Sequence, residues 1–216
     1  MNNFIGDYMV PLYFIIGSLA ILFLSYKFLS QKAPVFRNFG IGLLLTGVAF
    51  AVWSVAVLTK PDNLETITTV GVVPFGAALL FFLMAGTQKL KAANRSLVMF
   101  LGLAYLGVLL ILRVFVYQSH PGFSAKGLFY FHADPAIVAL YIGAFAASIL
   151  PAINAVSQQI KDKTLKFVTQ LGFTVLAIGG IVLLTSYDDN LQTINGWIMG
   201  LTFVLLLSVY SMKEVK

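Results

Sequence analysis

Arg113 is the charged residue whose position most strongly suggests chemistry, because it lies within an otherwise apolar run of the chain. A guanidinium in the middle of a bilayer costs about 2.5–3.5 kcal/mol on insertion scales. One interpretation is snorkelling, in which the head of the side chain reaches the polar headgroups. The other places Arg113 and Tyr117, one helical turn apart, on the wall of a polar pocket. The acidic partners expected in such a pocket are Asp134, Asp188 and Asp189.

Polar groups inside other apolar runs form a second set of candidates. Indole and amide N–H groups in such helices usually face other helices, since lipid offers no hydrogen-bond partner. Trp53, Asn154 and Asn195 therefore join Arg113 and Tyr117 as candidate substrate-binding residues. Pro151 precedes Asn154 by one turn and removes a helix hydrogen bond. The pair predicts either a kink that the asparagine satisfies or a gate at Pro151.

Metal chemistry has weaker support. His132-x-Asp134, with His120 nearby, contains residue types that bind divalent ions. However, Asp134 before Pro135 is also the pattern of a helix N-cap followed by proline at the first helical position. We keep these three as metal candidates only and predict no metal site and no cofactor. The sequence has no cysteine, and no nucleophile–base pair can be assembled, so we do not expect an enzyme.

The elements that must position these residues are long apolar helices. The chain has 216 residues, of which 59% are hydrophobic and 10% charged, whereas soluble domains carry roughly a quarter charged residues. About 20 apolar residues cross a bilayer. We therefore predict an all-α integral membrane protein, a bundle of seven transmembrane helices in one domain, 1–216. The predicted spans are Met9–Leu29, Phe39–Leu58, Thr69–Gly86, Leu97–Tyr117, Pro135–Val156, Phe167–Ser186 and Ile194–Met212.

Charge predicts the orientation of this bundle. One set of turns and the C-terminal tail carry eleven basic residues, against two on the other side. Basic residues in short loops stay in the cytoplasm. The N-terminus is therefore expected outside and the C-terminus inside, in a cell (inner) membrane. The net charge of +6 then reflects topology, and we expect lipid rather than nucleic acid as a partner.

Two turns of the chain resemble each other. Residues 58–67 and 184–194 share Leu, Thr, Asp, Asn, Leu, Thr and Ile with one insertion. The similarity predicts a parallel repeat of helices 1–3 and 5–7, with units near 9–86 and 135–212 and a linker helix at 97–117. The alternative is two independent helix caps, because Asp-x-x-Glu and Asp-x-x-Gln are capping patterns.

This architecture resembles two groups of seven-helix membrane proteins. The 3+1+3 repeat with the N-terminus outside is similar to the SWEET and PQ-loop transporters and their KDEL-receptor relatives. Here prolines occur at Pro11, Pro135 and Pro151, but the Pro-Gln dipeptide is missing. The helix number and orientation also resemble microbial rhodopsins, yet the last span, Ile194–Met212, lacks the lysine that holds retinal.

The resemblance and the repeat favour a small-solute transporter with a pathway between two three-helix units. The alternatives are a seven-helix receptor or sensor and a non-catalytic subunit of a larger membrane complex. The expected partners are the bilayer and a small-molecule ligand of unidentified class, with a second copy or another membrane protein left open. The 19 Phe and 9 Tyr residues are expected to be mainly lipid-facing filler and interface anchors. The glycines of helices 2 and 6 are expected to serve close packing.

Overall fold

A computed structural model describes residues 10–59, 62–117, 120–124, 128–131 and 134–212, with side chains from residue 14 onward. This part of the chain forms seven helices and one short hairpin. The helices are α1 (Val10–Leu29), α2 (Pro34–Thr59), α3 (Leu64–Gly86), α4 (Ala92–Ile111), α5 (Pro135–Gln159), α6 (Lys163–Thr185) and α7 (Asp189–Met212). The hairpin pairs β1 (Gly122–Phe123) with antiparallel β2 (Phe129–Tyr130) between α4 and α5.

Six of these helices, α2 to α7, are long and apolar enough to cross a membrane. The segment Phe14–Leu29 of α1 is a shorter apolar helix. Lipid offers no hydrogen-bond partner for backbone N–H and C=O groups. Because an α-helix pairs these groups with each other, long apolar runs form helices in a membrane. The prediction of an all-α membrane bundle is confirmed for these elements.

Most helices begin several residues before the predicted apolar spans. At α6 and α7 the reason is local capping in the polar turns. The Asp162 carboxylate accepts a hydrogen bond of 2.7 Å from the Leu165 amide at the start of α6. Asp188 accepts one of 2.8 Å from the amide of Leu191 at the start of α7. Such caps satisfy free N–H groups of the first turn, so the helix extends beyond its apolar part.

The helices form a closed ring with one helix outside it. Around the ring, α1 packs on α2, α2 on α3, α3 on α5, α5 on α6, α6 on α7, and α7 on α1. Helix α4 packs on the outside, against α3 and α5. Its own residues are mostly exposed, and its buried ones are Leu106 and Leu109. The ring therefore encloses the interior, and α4 contributes buried residues to it only from its second half.

Close approach between the ring helices depends on small residues, as predicted. A methyl group added at Gly42 of α2 would lie 2.7 Å from the Phe82 ring of α3. Polar groups also connect neighbouring helices: the Ser25 hydroxyl of α1 donates to the carbonyl of Gly40 at 2.9 Å. The corresponding close contacts of helices 2 and 6 involve Gly40, Gly47, Gly172 and Gly179.

The aromatic residues correct the sequence prediction. Twelve phenylalanines are buried rather than lipid-facing: Phe14, Phe28, Phe36, Phe39, Phe50, Phe75, Phe82, Phe129, Phe131, Phe145, Phe173 and Phe203. They contact one another across the ring, as between Phe39 and Phe173, whose centroids are 5.1 Å apart. Composition cannot show which face of an apolar helix an aromatic residue occupies. The interior of the ring is therefore an aromatic core.

Candidate functional site

A cavity of about 90 Å³ lies inside the ring. Every ring helix contributes to its wall, and the wall is almost entirely aliphatic and aromatic. Representative members are Ile21, Phe39, Phe82, Phe145, Gly180 and Phe203. An engineered apolar cavity of about 150 Å³ stays free of water and binds benzene. By that comparison this cavity suits an apolar molecule of about four heavy atoms.

The hairpin between α4 and α5 closes one end of this cavity. Phe131, directly after β2, lines the cavity and packs edge-on against the Trp53 indole, with ring centroids 4.9 Å apart. Phe129 contacts Phe131 at 5.0 Å and Phe14 of α1 at 6.2 Å. This hairpin was not predicted from the sequence. Its signal was the apolar run 128–131, which lies outside every predicted span.

A second aromatic group packs at the opposite end of the ring. The Phe28 ring of α1 lies 5.3 Å from the ring of Tyr210 and 5.0 Å from that of Phe39. The hydroxyls of Tyr210 and Thr169 are hydrogen-bonded at 2.6 Å between α7 and α6. Tyr210 and Phe28 are fully buried. Aromatic side chains therefore pack at both ends of the ring.

Trp53 is the predicted candidate that lines the cavity directly. Its indole N–H donates to the backbone carbonyl of Thr68 in α3 at 3.2 Å. The indole lies flat against Gly71, where an added Cβ would be 2.3 Å from Nε1. Phe50 and Phe75 contact the indole from two other sides, at 5.6 and 5.8 Å. Trp53 is therefore held rigidly as part of the wall.

A second, smaller cavity of about 20 Å³ adjoins the first. The two share Trp53, Phe75, Phe131 and Leu184 in their walls. The smaller one is also lined by Arg113 and Tyr141. Its volume exceeds the 10–15 Å³ or so that one water molecule needs. The surface that lines this smaller cavity is nevertheless apolar, like that of the larger one.

Arg113 does not snorkel. Its side chain is 3% exposed and lies in a π-helical turn, Leu112–Val116, that continues α4. Such turns change the direction of side chains and are frequent at functional sites. Among the described residues, Tyr141 and Glu65 interact electrostatically with the guanidinium. The buried, protein-facing interpretation is the one that the geometry supports.

The carboxylates predicted to accompany Arg113 have other partners. Asp134 caps α5 by accepting from the Ala136 amide at 2.8 Å, which confirms its predicted N-cap role. Asp188 caps α7. Asp189 accepts a hydrogen bond from the Tyr130 hydroxyl. Among the described carboxylates, that of Glu65 interacts electrostatically with Arg113; it was not among the predicted partners.

Two other substrate-binding candidates lie elsewhere. Tyr117, at the end of the π-helical turn, is half-buried and packs against the core. Asn195 is buried between α7 and α6, where its amide donates to the Gly179 carbonyl at 2.9 Å. This bond joins two helices, while Met199, one turn further along α7, reaches the cavity wall. Asn195 therefore acts in packing in this arrangement.

Asn154 and Pro151 lie at the end of the ring opposite the hairpin. The prediction that Asn154 faces the bundle is wrong, because its side chain is exposed. It accepts a hydrogen bond of 3.1 Å from Gln158, whose amide oxygen in turn accepts from Lys89 in the α3–α4 turn. Pro151 is exposed and packs against Gly86 of α3, with α5 continuing through it. Neither lines the two cavities.

The metal candidates form no cluster among the described residues. His120 is exposed, Asp134 caps α5, and His132 lies outside the described residues. Within residues 10–59, 62–117, 120–124, 128–131 and 134–212, no group of three or more His, Cys, Asp or Glu could hold a metal ion.

Tyr130 connects the hairpin to α7, because its hydroxyl donates a hydrogen bond to Asp189. Burial raises the pKa of its hydroxyl to about 12, and the hydrogen bond to the Asp189 carboxylate adds to the shift. An unfolded tyrosine has a pKa of about 10. The neutral hydroxyl is thus favoured in the folded state. Its stabilisation is complete below pH 10 and is lost as the pH rises through 12.

We therefore expect the hairpin to loosen between about pH 10 and 12. The measurement is the fluorescence of Trp53, which contacts Phe131, recorded during an alkaline titration in a Trp197→Phe background. Trp197 is removed because it is exposed on α7. In the Tyr130→Phe variant this transition should disappear. A transition that persists unchanged in Tyr130→Phe would assign the effect to another group.

Comparison with known proteins identifies no relative of this chain. No family model, no curated protein and no solved structure matches this chain. The chain is a multi-pass helical membrane protein by its own residues. Its function must therefore be argued from the site.

Proposed function

We propose that this chain is a seven-crossing membrane receptor that holds a small apolar molecule inside its helical ring. The observation that carries the proposal is the cavity of about 90 Å³, walled by all six ring helices and by the hairpin. Ligand sites are mainly apolar, with few polar groups that fix orientation. A polar solute would need hydrogen-bonding groups along its path, and this wall is aliphatic and aromatic. The proposed role is binding without catalysis.

Charge distribution supports the proposed orientation. At one end of the bundle the described turns carry nine basic residues, against one acidic residue, Asp162. They are Lys27, Lys32, Arg37, Lys89, Lys91, Arg95, Lys161, Lys163 and Lys166. At the hairpin end, Asp62, Glu65, Asp134, Asp188 and Asp189 are acidic. By the positive-inside rule we place the hairpin end outside the cytoplasm, with α1 as the seventh crossing of an inner membrane.

A carrier for the same class of molecule is the second candidate. The helix order around the ring is compatible with a two-fold axis that relates α1–α2–α3 to α5–α6–α7. Under that operation the α3–α5 interface becomes the α7–α1 interface, and both interfaces exist. This arrangement supports the proposed repeat of units 9–86 and 135–212. A carrier would release its occupant on both sides, whereas a receptor would hold it.

The test is a substitution in the cavity wall that places a larger side chain inside the cavity. Gly180 of α6 lines it, and an added Cβ would lie 3.4 Å from the Phe145 ring, an ordinary contact. The probe is bromoform, a compact apolar molecule whose bromine atoms quench indole fluorescence. In a Trp197→Phe background, quenching of Trp53 should show a saturable component. Gly180→Leu should remove that component, because leucine occupies the space.

The matched control is Gly200→Leu on α7, where an added Cβ has nothing within 4 Å. It should quench like the parent. Ala177→Val, also in the cavity wall, is a milder second variant if Gly180→Leu does not fold. Equal saturable quenching in all of these proteins would mean that bromoform binds elsewhere, and the proposal would be wrong.

A further inference from the structure

Helix α4 stands away from α5 along its first half. Its buried residues, Leu106 and Leu109, lie in the second half, whereas residues 92–94 at its start are exposed. The contact between α4 and α5 is short. It includes the Tyr105 hydroxyl, which donates to the Leu140 carbonyl at 2.7 Å. From this contact to the basic end of the bundle, the two helices leave a space between them.

The face of α5 that looks into this space is apolar and exposed. An added Cβ at Gly143 would lie 3.0 Å from the Tyr105 hydroxyl, so this face is turned toward α4. Ala147 and Leu150 follow Gly143 at helical spacing on the same face, and all three residues are exposed. The exposed Pro151 lies beside them.

Helix α3 forms the floor between α4 and α5. A side chain added at Gly102 of α4 would collide with that of Leu83, and an added Cβ at Gly86 would lie 2.8 Å from Pro151 of α5. Leu83 and Gly86 are one turn apart at the end of α3. The three helices therefore border an apolar cleft that opens to lipid near the basic end.

The mouth of this cleft carries cations and amides. Lys89, in the α3–α4 turn, donates to the amide oxygen of Gln158 on α5. Gln158 in turn donates to the amide oxygen of Asn154 at 3.1 Å. Arg95 is half-buried and lies two turns before Gly102 on the face of α4 that is turned to the ring. Positive charge from α4 and from its preceding turn therefore borders the end of the cleft.

The positive-inside rule accounts for basic residues at this end of the bundle, but not for their position beside a cleft. The α1–α2 turn carries the exposed Lys32 and Arg37 as well. There the two helices are in close contact, since an added Cβ at Gly40 would lie 2.9 Å from the backbone nitrogen of Leu29. The turn beside α4 therefore differs in its surroundings and not in its charge alone.

We propose that this cleft binds one anionic phospholipid from the leaflet at the basic end, with its phosphate between Lys89 and Arg95. An acyl chain then lies along Ala147 and Leu150 of α5. A guanidinium binds phosphate through two parallel hydrogen bonds, and basic pockets between transmembrane helices bind anionic headgroups. The NH2 group of Asn154 supplies a further donor, because its oxygen already accepts from Gln158. The site lies outside the ring and is independent of the proposed cavity ligand.

The test measures which lipid occupies the cleft. A reporter indole is placed there by Leu150→Trp in the Trp197→Phe background, and the signal of Trp53 is subtracted with the protein that lacks the reporter. The full-length protein is reconstituted in phosphatidylcholine vesicles that contain either phosphatidylglycerol or phosphatidylcholine with dibrominated acyl chains, which quench indole fluorescence. Quenching should correspond to binding of phosphatidylglycerol at least about fivefold tighter, the contribution of one basic residue at an anionic membrane surface.

Lys89→Gln combined with Arg95→Gln should bring this preference close to parity. The matched control is Lys32→Gln combined with Arg37→Gln, which removes the same charge from the same end of the bundle and should keep the preference. If Leu150→Trp does not fold, thermal unfolding of the proteins without the reporter gives the same comparison. Phosphatidylglycerol should then raise the unfolding temperature of the parent and the control more than that of the Lys89 and Arg95 variant.

Two results would overturn the proposal. One is equal quenching by the two brominated lipids in the parent protein. The other is an equal loss of preference in both double variants, because the preference would then come from the total charge of the basic end. Neither result bears on the cavity inside the ring, whose own test uses bromoform and Gly180→Leu.

Discussion

Gly71→Ala is expected to lower the stability of the bundle by about 2–4 kcal/mol, an overpacking cost together with a lost hydrogen bond. The added methyl group would lie 2.3 Å from Nε1 and 2.7 Å from Cδ1 of Trp53. The indole cannot yield easily, since Phe50, Phe75 and Phe131 surround it. It must leave the Thr68 carbonyl, and the cavity wall must change with it.

The measurement combines thermal unfolding with the emission maximum of Trp53 in the Trp197→Phe background. A displaced indole should shift its emission and lose the saturable bromoform response. Gly76→Ala is the control on the same helix, where the nearest atom to an added Cβ belongs to Leu110 at 3.7 Å. Alanine improves helix propensity equally at both positions. If the two variants behaved alike, Trp53 would not be packed on Gly71.

Arg113→Met is expected to destabilise the protein by about 2–4 kcal/mol. Arg113 is 3% exposed, and its guanidinium interacts electrostatically with Tyr141 and Glu65. Removing one member of a buried charge group leaves the others without compensation. Because Glu65 is only half-buried, the expected loss lies below that of a fully buried pair.

The matched control is Arg37→Met, since Arg37 is exposed at the opposite end of the bundle. This change should remain within about 0.5 kcal/mol. Unfolding in denaturant, followed by fluorescence, measures both. Combining Arg113→Met with Glu65→Gln should cost less than the sum of the single changes, because the two charges interact. An additive result would show that Glu65 is not a partner of Arg113.

The sequence predicted that Arg113 is a special residue, but it did not predict its partners. An arginine inside an apolar run must find a polar partner or reach the headgroups, and this can be recognised from the sequence. Its partners depend on the π-helical turn, which aims the side chain at α3 and α5 instead of at the headgroups. The predicted aspartates lie in the turns at the same end of the bundle, but they have other partners. Asp134 caps α5, and Asp189 accepts a hydrogen bond from Tyr130 of the hairpin.

The two asparagine amides have different environments although the sequence predicted the same one for both. Asn154 and Asn195 are chemically the same, and both were predicted to face the bundle. Asn195 does so and bonds to Gly179, whereas Asn154 is exposed near Lys89 and Gln158. Helical phase relative to the neighbours decides this, and a continuously apolar helix carries almost no phase information in its sequence.

Composition and apolar run length by themselves determine that this chain folds as helices in lipid, because lipid leaves the backbone no other way to satisfy its hydrogen bonds. Only the tertiary structure decides that six helices close a ring around an aromatic interior, with α4 outside. Only it places the hairpin residue Phe131 against Trp53, and Arg113 beside Tyr141. These contacts join residues far apart in the chain, and their geometry depends on packing between helices that apolar side chains do not encode locally.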